Sequence, residues 1–310
     1  MHLFTHHITN WSKWGHTFQS IPAFEKLVAH IFHKEGLPLA PMENLTPGTN
    51  AVFKVGQYVI KIFAPPTFGQ GFGTDMDIEL FGMRWAQAQQ VPAPRLVAHG
   101  EVADKYLFKY MIMTFIPGKL LEEIEPQLTD ADKITIGKNI REITRRLNKP
   151  CENFTPIDML GYALADKEWE NEGFPASFQQ ERLDYLKQVT VDPGSKVYCH
   201  GDFHPGNLVV DDQLNVYLLD FADAMYAPAE YELVYILSAL FCFEKPYLLG
   251  YFDGDYGVDD IVDLCMQWLP IHVWGHSTIV GHFKPVGEID SFATLRKRLG
   301  QLVEAGGLAV

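Results

Sequence analysis

The chain has 310 residues, 47% of them apolar, and a formal charge of −14. That is enough material for two lobes or domains with buried cores, and it shows no sign of global disorder. The acidic balance argues against nucleic acid as the main partner, since phosphate backbones attract lysine and arginine, and fits either a cationic small molecule or plain solubility.

Residues 1–20 have no clear period and lack the basic-then-apolar layout of a signal peptide. Phe24, Leu27, Val28 and Ile31 then fall at helical spacing, and Gly36-Leu37-Pro38 stops that helix, which should pack on the back of a first lobe. Thr46-Pro47-Gly48-Thr49-Asn50 reads as a turn. A hairpin follows, with strands at 51–55 and 58–63 joined through Gly56-Gln57. Gly69-Gln70-Gly71-Phe72-Gly73 lacks the Lys-Ser/Thr ending of a P-loop and reads as a flexible connection. Asp77 opens a helix with an apolar face of Ile78, Phe81 and Trp85, and Glu79 lies on a different side. Strands are expected at 91–97 and 106–113, followed by the turn Thr114-Phe115-Ile116-Pro117-Gly118.

Helical pattern dominates from there. Thr129 and Asp132 form a capping-box-like start, and Ile136, Ile140, Ile143 and Leu147 make one apolar stripe. Residues 151–176 read as loop, and Ser177 begins a helix through Leu183 and Leu186. Residues 229–243 are apolar on nearly every face, so one buried helix is expected; the longest apolar run, 233–243, is too short to cross a bilayer. Asp253, Asp255, Asp259, Asp260 and Asp263 lie among Tyr251, Phe252, Tyr256 and Trp268, a mixture that suits a polycationic or hydroxylated ligand as well as it suits solvated capping acids. His272, His276 and His282 lack an H-E-x-x-H pattern and read as packed or solvent-facing rather than as zinc ligands. Phe292, Leu295, Leu299 and Leu302 give a closing amphipathic helix. Cys151, Cys199, Cys242 and Cys265 form no C-x-x-C pair and fit reduced thiols in a cytoplasmic protein. Nothing in the sequence speaks to oligomeric state.

The most informative stretch is Tyr198-Cys199-His200-Gly201-Asp202-Phe203-His204-Pro205-Gly206-Asn207, continued to Leu218-Leu219-Asp220-Phe221. Leu208-Val209-Val210 and Tyr217-Leu218-Leu219 read as the arms of a hairpin turning near Asp211-Asp212-Gln213. A hairpin of that length returns Asp220 to the neighbourhood of Asn207. Mg²⁺ takes a few oxygen ligands plus phosphate oxygens, which Asn207 and Asp220 could supply. Asp202 is then free to accept the proton of an attacking hydroxyl.

This segment resembles that of protein-kinase-like phosphotransferases, in which H-x-D-x-x-x-x-N precedes a metal-binding Asp. The wording His-Gly-Asp-Phe-His-Pro-Gly-Asn is similar to the aminoglycoside phosphotransferase and choline kinase branch, whose acceptors are usually small molecules. The resemblance covers roughly residues 45 to 245. It implies a bilobal α+β fold, with an antiparallel-sheet lobe at 1–113, a hinge at 114–118 and a mainly helical lobe at 119–310. It implies ATP and Mg²⁺ as cofactors and a small-molecule hydroxyl as acceptor. Asp202 would be the catalytic base, His200 its brace, and Asn207 and Asp220 the metal ligands. Lys61 would hold the nucleotide phosphates, placed by Glu79, with backbone N–H groups of Gly48, Thr49 and Asn50 near them. Met113 and Phe115 would meet the adenine. Three departures stand out: no G-x-G-x-x-G loop is present, Asp220-Phe221-Ala222 stands where the family pattern has Asp-Phe-Gly, and the family's Asp-Leu pair is Glu232-Leu233 here. The rival reading is a non-catalytic nucleotide-binding module on the same fold.

Overall fold

The computed structural model describes residues 2–46, 48–65, 75–151 and 159–307. The glycine-rich stretch at 69–73, Pro47 and residues 152–158 lie outside them. The chain divides into two compact units, one made of Met1–Pro117 with Leu219–Asp223, the other of Gly118–Leu218 with Ala224–Val310. Among the described residues no helix is long and apolar enough to cross a membrane.

The first unit begins with α1 (Trp11–Gly15) and α2 (Ile21–Lys34), followed by β1 (Met42–Asn44), β2 (Ala51–Val55), β3 (Tyr58–Ile62), α3 (Asp75–Ala88), β4 (Leu96–Ala103) and β5 (Leu107–Thr114). The strands form one antiparallel sheet in the order β1-β2-β3-β5-β4. One face carries Phe53, Val55, Ile60, Ile62, Phe108, Tyr110 and Ile112, packed under Phe24, Leu27, Val28 and Ile31 of α2. Side chains alternate across a strand, so with Ile60 and Ile62 on that face Lys61 points to the other. β4 starts at Leu96, later than the expected strand at 91–97. Pro92 and Pro94 carry no N–H for a ladder, which holds the strand back.

The second unit holds β6 (Lys119–Leu120), α4 (Leu121–Ile124), α5 (Asp130–Leu147), α6 (Met159–Ala165), α7 (Glu168–Asn171), α8 (Ala176–Gln188), β7 (Lys196–Cys199), β8 (Leu208–Val210), β9 (Val216–Leu218), β10 (Met225–Pro228), α9 (Ala229–Tyr235), α10 (Lys245–Phe252), α11 (Val258–Trp268), α12 (Gly275–His282) and α13 (Phe292–Glu304). The expected stripe of α5 is fully buried, and Thr129 and Asp132 close a reciprocal capping box. Helices α6 and α7 occupy part of the stretch expected as loop. Trp169 of α7 is buried, and the Arg182 guanidinium lies 4.2 Å from its ring centroid. The single helix expected at 229–243 is interrupted. After α9 the ladder widens to a π-turn at Ile236–Leu240, and Cys242 and Phe243 take left-handed φ of 47° and 57°. Ser238 Oγ donates to Val234 O at 2.6 Å at this point, the back-bonding that bends helices.

Helices α5 and α10 meet backbone to backbone. A Cβ at Gly250 would lie 2.1 Å from Ile134 O, and one at Gly137 2.4 Å from Tyr247 O. Gly250→Ala is therefore expected to lower the unfolding free energy by about 1–3 kcal/mol, the usual penalty for overpacking a tight interior. Gly300 in α13 has nothing within 4 Å of its would-be Cβ. There Gly300→Ala should instead stabilise by about 0.5–1 kcal/mol through helix propensity. Urea unfolding of the two variants checks both signs.

Candidate active site

In the first unit two carboxylates gather on Lys61. Its Nζ lies 2.7 Å from Glu79 Oε2 on α3 and 3.0 Å from Asp220 Oδ1. Lys61 and Glu79 are both buried. Burial works against the ammonium, but the Asp220 and Glu79 carboxylates outweigh it and push the pKa up, so the charge is locked on. Asp220 sits in the left-handed region at φ 55° and its Oδ1 also accepts the Ala222 N–H at 3.4 Å.

The turn before β2 is held from two sides. Trp14 Nε1 donates to Thr49 O at 2.8 Å, and Asn50 Oδ1 accepts the Ala64 N–H at 3.2 Å. The Asn50 side chain is thus buried and engaged within its own unit. Gly48 has open space where a Cβ would be. Met113 lies in β5 opposite Val59. The Phe115 N–H donates to Gln57 O at 2.9 Å, so that donor is already committed.

In the second unit β7 runs straight into the acidic loop. Gly201, at φ 86°, makes the reversal between His200 and Asp202, a conformation that glycine adopts without strain. The Asp202 N–H donates to His200 Nδ1 at 3.3 Å, and His200 is fully buried. Asn207 Nδ2 donates to Asp202 Oδ2 at 2.9 Å and to Asp202 O at 3.0 Å. Among the described residues Asp202 Oδ1 and Asn207 Oδ1 accept no hydrogen bond. The hairpin pairs Leu208 with Leu218, so β9 ends opposite the residue that follows Asn207.

Sequence reasoning left Glu232 without a role and passed over Asn148 and His204. Glu232 is buried, and both its oxygens accept the His200 N–H, at 2.8 and 3.0 Å. Asn148 Nδ2 donates to Glu232 Oε1 at 3.1 Å and to Tyr198 O at 2.9 Å. The acid near the start of α9 thereby grips the backbone of His200 at the first residue of the loop. His204 Nε2 lies 3.4 Å from Asp202 Oδ2. The signal available for His204 was its place between Asp202 and Asn207. His272 is stacked between Tyr231 and Tyr235 at 4.3 and 4.7 Å, and His282 Nε2 contacts Ser238 O at 2.7 Å, so both are packing residues.

The profile of the APH phosphotransferase enzyme family matches residues 49–262, a span that includes Lys61, Glu79, Asp202, Asp220 and Glu232. The chain belongs to that family. It is a phosphotransferase, and the match takes in the Lys61 cluster and the Asp202 loop alike. Among curated proteins, none matches the sequence. Solved structures similar to it include the GDP complex of wild-type aminoglycoside 2'-phosphotransferase-IIIa, at 15% identity over 91% of this chain and 99% of that one, with a TM-score of 0.58. The streptomycin–ATP–APH(2'')-IIa ternary complex matches at 15% identity over 87% and 97%, with a TM-score of 0.57. A thermostable mutant of aminoglycoside phosphotransferase APH(4)-Ia in its apo form matches at 17% identity over 90% and 98%, with a TM-score of 0.55. Likeness at this identity establishes the protein-kinase-like α+β fold.

Burial pushes the Glu232 carboxyl up from 4.5 to about 7, against the pull of the His200 N–H and the Asn148 amide. A folded-state pKa above the unfolded one means that the folded chain holds a proton the unfolded chain has released. Its contribution to stability is complete below the ordinary 4.5 and is lost as pH rises toward 7. Urea unfolding across that window should show wild type losing stability relative to Glu232→Gln, which has no proton to release. Equal slopes for the two proteins would remove the basis for this assignment.

Proposed function

We propose that this phosphotransferase moves the γ-phosphate of ATP to a hydroxyl of a small molecule, ATP + R-OH giving ADP and R-O-phosphate. The observation that carries the reading is the Asp202 carboxylate, gripped through Oδ2 by Asn207 while Oδ1 has no partner among the described residues. Such a carboxylate can orient an alcohol and take its proton as the new P–O bond forms. His200 braces it by accepting the Asp202 N–H while its own N–H is fixed by Glu232.

Lys61 is assigned to the nucleotide phosphates. Its permanent charge and the Glu79 contact that aims it support that role. Asn207 Oδ1 and the Asp220 carboxylate are assigned to Mg²⁺, and hard oxygen donors of this kind fit that ion. When bound, Mg²⁺ neutralises charge developing on the transferring phosphoryl group. For the turn at Gly48, Thr49 and Asn50 the contribution to phosphate binding is through backbone N–H groups, since the Asn50 side chain is engaged with Ala64. Met113 and Phe115 are assigned to the adenine, Phe115 without its N–H.

The acceptor proposed for first trial is cationic, in keeping with the net charge of −14 and with the streptomycin and ATP bound together in one similar structure. The aspartates at 253–263 give this limited support. Asp253 is paired with Arg141 at 3.4 Å and Asp263 with Arg296 at 2.6 Å, while Asp259 and Asp260 occupy the first turn of α11. No observation favours the non-catalytic module.

ADP release measured across aminoglycosides, amino alcohols and sugars tests the reading. At least one hydroxyl compound should raise it above the rate in water alone. Asp202→Asn should lower kcat by about 10²–10⁴ while Mg-ATP still raises the melting temperature. A panel in which nothing consumes ATP, or an Asp202→Asn variant as fast as wild type, would sink it.

A further inference from the structure

The loop holds a second histidine whose ring is fixed from one side and aimed from the other. Gly206 N–H donates to His204 Nδ1 at 3.1 Å, so Nδ1 offers a lone pair. A neutral imidazole that accepts at Nδ1 carries its proton on Nε2. That Nε2 is 3.4 Å from Asp202 Oδ2, the oxygen that Asn207 Nδ2 already holds at 2.9 Å. The ring is also backed by Gly206, where a Cβ would lie 2.8 Å from His204 Cε1. The separation of 3.4 Å is long for a hydrogen bond, as catalytic contacts often are before the reacting groups are assembled.

We infer that His204 is a positioning residue for Asp202: its Nε2–H and the Asn207 amide together occupy Oδ2, fix the carboxylate's rotamer, and leave Oδ1 as the atom that takes the acceptor's proton. The inference rests on Asp202 being the base. The direction of donation also decides what His204 does not do. With Nε2 protonated and Nδ1 engaged, the ring has no site on which to receive a proton from Asp202, so the proton leaves Oδ1 by another route. His204 therefore serves as a fixed donor.

A purely structural role is available too, because the same Nδ1 contact caps the short turn Pro205–Asn207. Two amide substitutions separate the possibilities. Asparagine places its carbonyl near the position of Nδ1 and keeps the cap; glutamine reaches the position of Nε2 and keeps a donor to Asp202. The rates compared are ADP release from Mg-ATP by the full chain, with water and with any active acceptor from the panel. His204→Leu and His204→Asn should lower kcat about tenfold or more with KM for ATP within about twofold, the loss of one charge-assisted donor. His204→Gln should recover to within about threefold of wild type. Rescue by asparagine and not glutamine, rescue by neither, or no loss in any variant each overturns the inference.

A readout that needs no turnover runs beside it. Long-range proton–nitrogen spectra should show the His204 ring protonated on Nε2, and Asp202→Ala should move the Nε2 resonance while leaving Nδ1 in place. A proton on Nδ1, or an unmoved Nε2, overturns the inference. If instead Asp202→Asn is as active as wild type, the assignment of Asp202 as base fails, whatever the His204 variants show.

Discussion

A buried lysine ammonium has to be matched by negative charge, and the contacts around Lys61 follow from that requirement. Stripping an ammonium of water costs several kcal/mol, and only well-placed carboxylates offset it. Glu79 fixes where α3 must lie against β3. The other carboxylate, Asp220, arrives from 159 positions further along the chain, and it brings Leu219–Asp223 into the first unit with it.

The second unit uses a related device with the sign reversed. Glu232 is a buried acid surrounded by N–H donors instead of a cation, and it holds the backbone of His200 while Asn148 ties it to Tyr198. The Asp202 carboxylate is then left to lighter contacts, Asn207 and His204 on one oxygen. Glu232 is deep and hydrogen-bonded, whereas the Asp202 side chain stays 18% accessible. A carboxylate held in this way is oriented without being buried.

Much of this was readable before any coordinates. The α5 stripe at Ile136, Ile140, Ile143 and Leu147 was legible because an amphipathic helix writes its buried face into its period. The β2–β3 hairpin was legible from turn chemistry, and the residues from His200 to Asp220 from their spacing. What escaped was tertiary. Asn148 and Glu232 are 84 positions apart, and no local pattern joins them. The Phe115 N–H is taken by Gln57 and the Asn50 side chain by Ala64, and both reduce what a motif match would assign to them. The break after α9 was hidden because a segment apolar on every face has no periodic stripe to reveal where its ladder widens. The late start of β4 is written in Pro92 and Pro94, which have no N–H to give a ladder.

The backbone of Asp220 narrows which residues evolution can place there. At φ 55° it lies in the left-handed basin, which glycine, asparagine and aspartate enter most readily. Of those three only aspartate bears a charge. A glutamate would supply the carboxylate but with a poorer fit to the basin, and the two readily accommodated replacements both discard one of the two carboxylate partners of Lys61. Replacement at this position is therefore opposed twice, by backbone geometry and by charge.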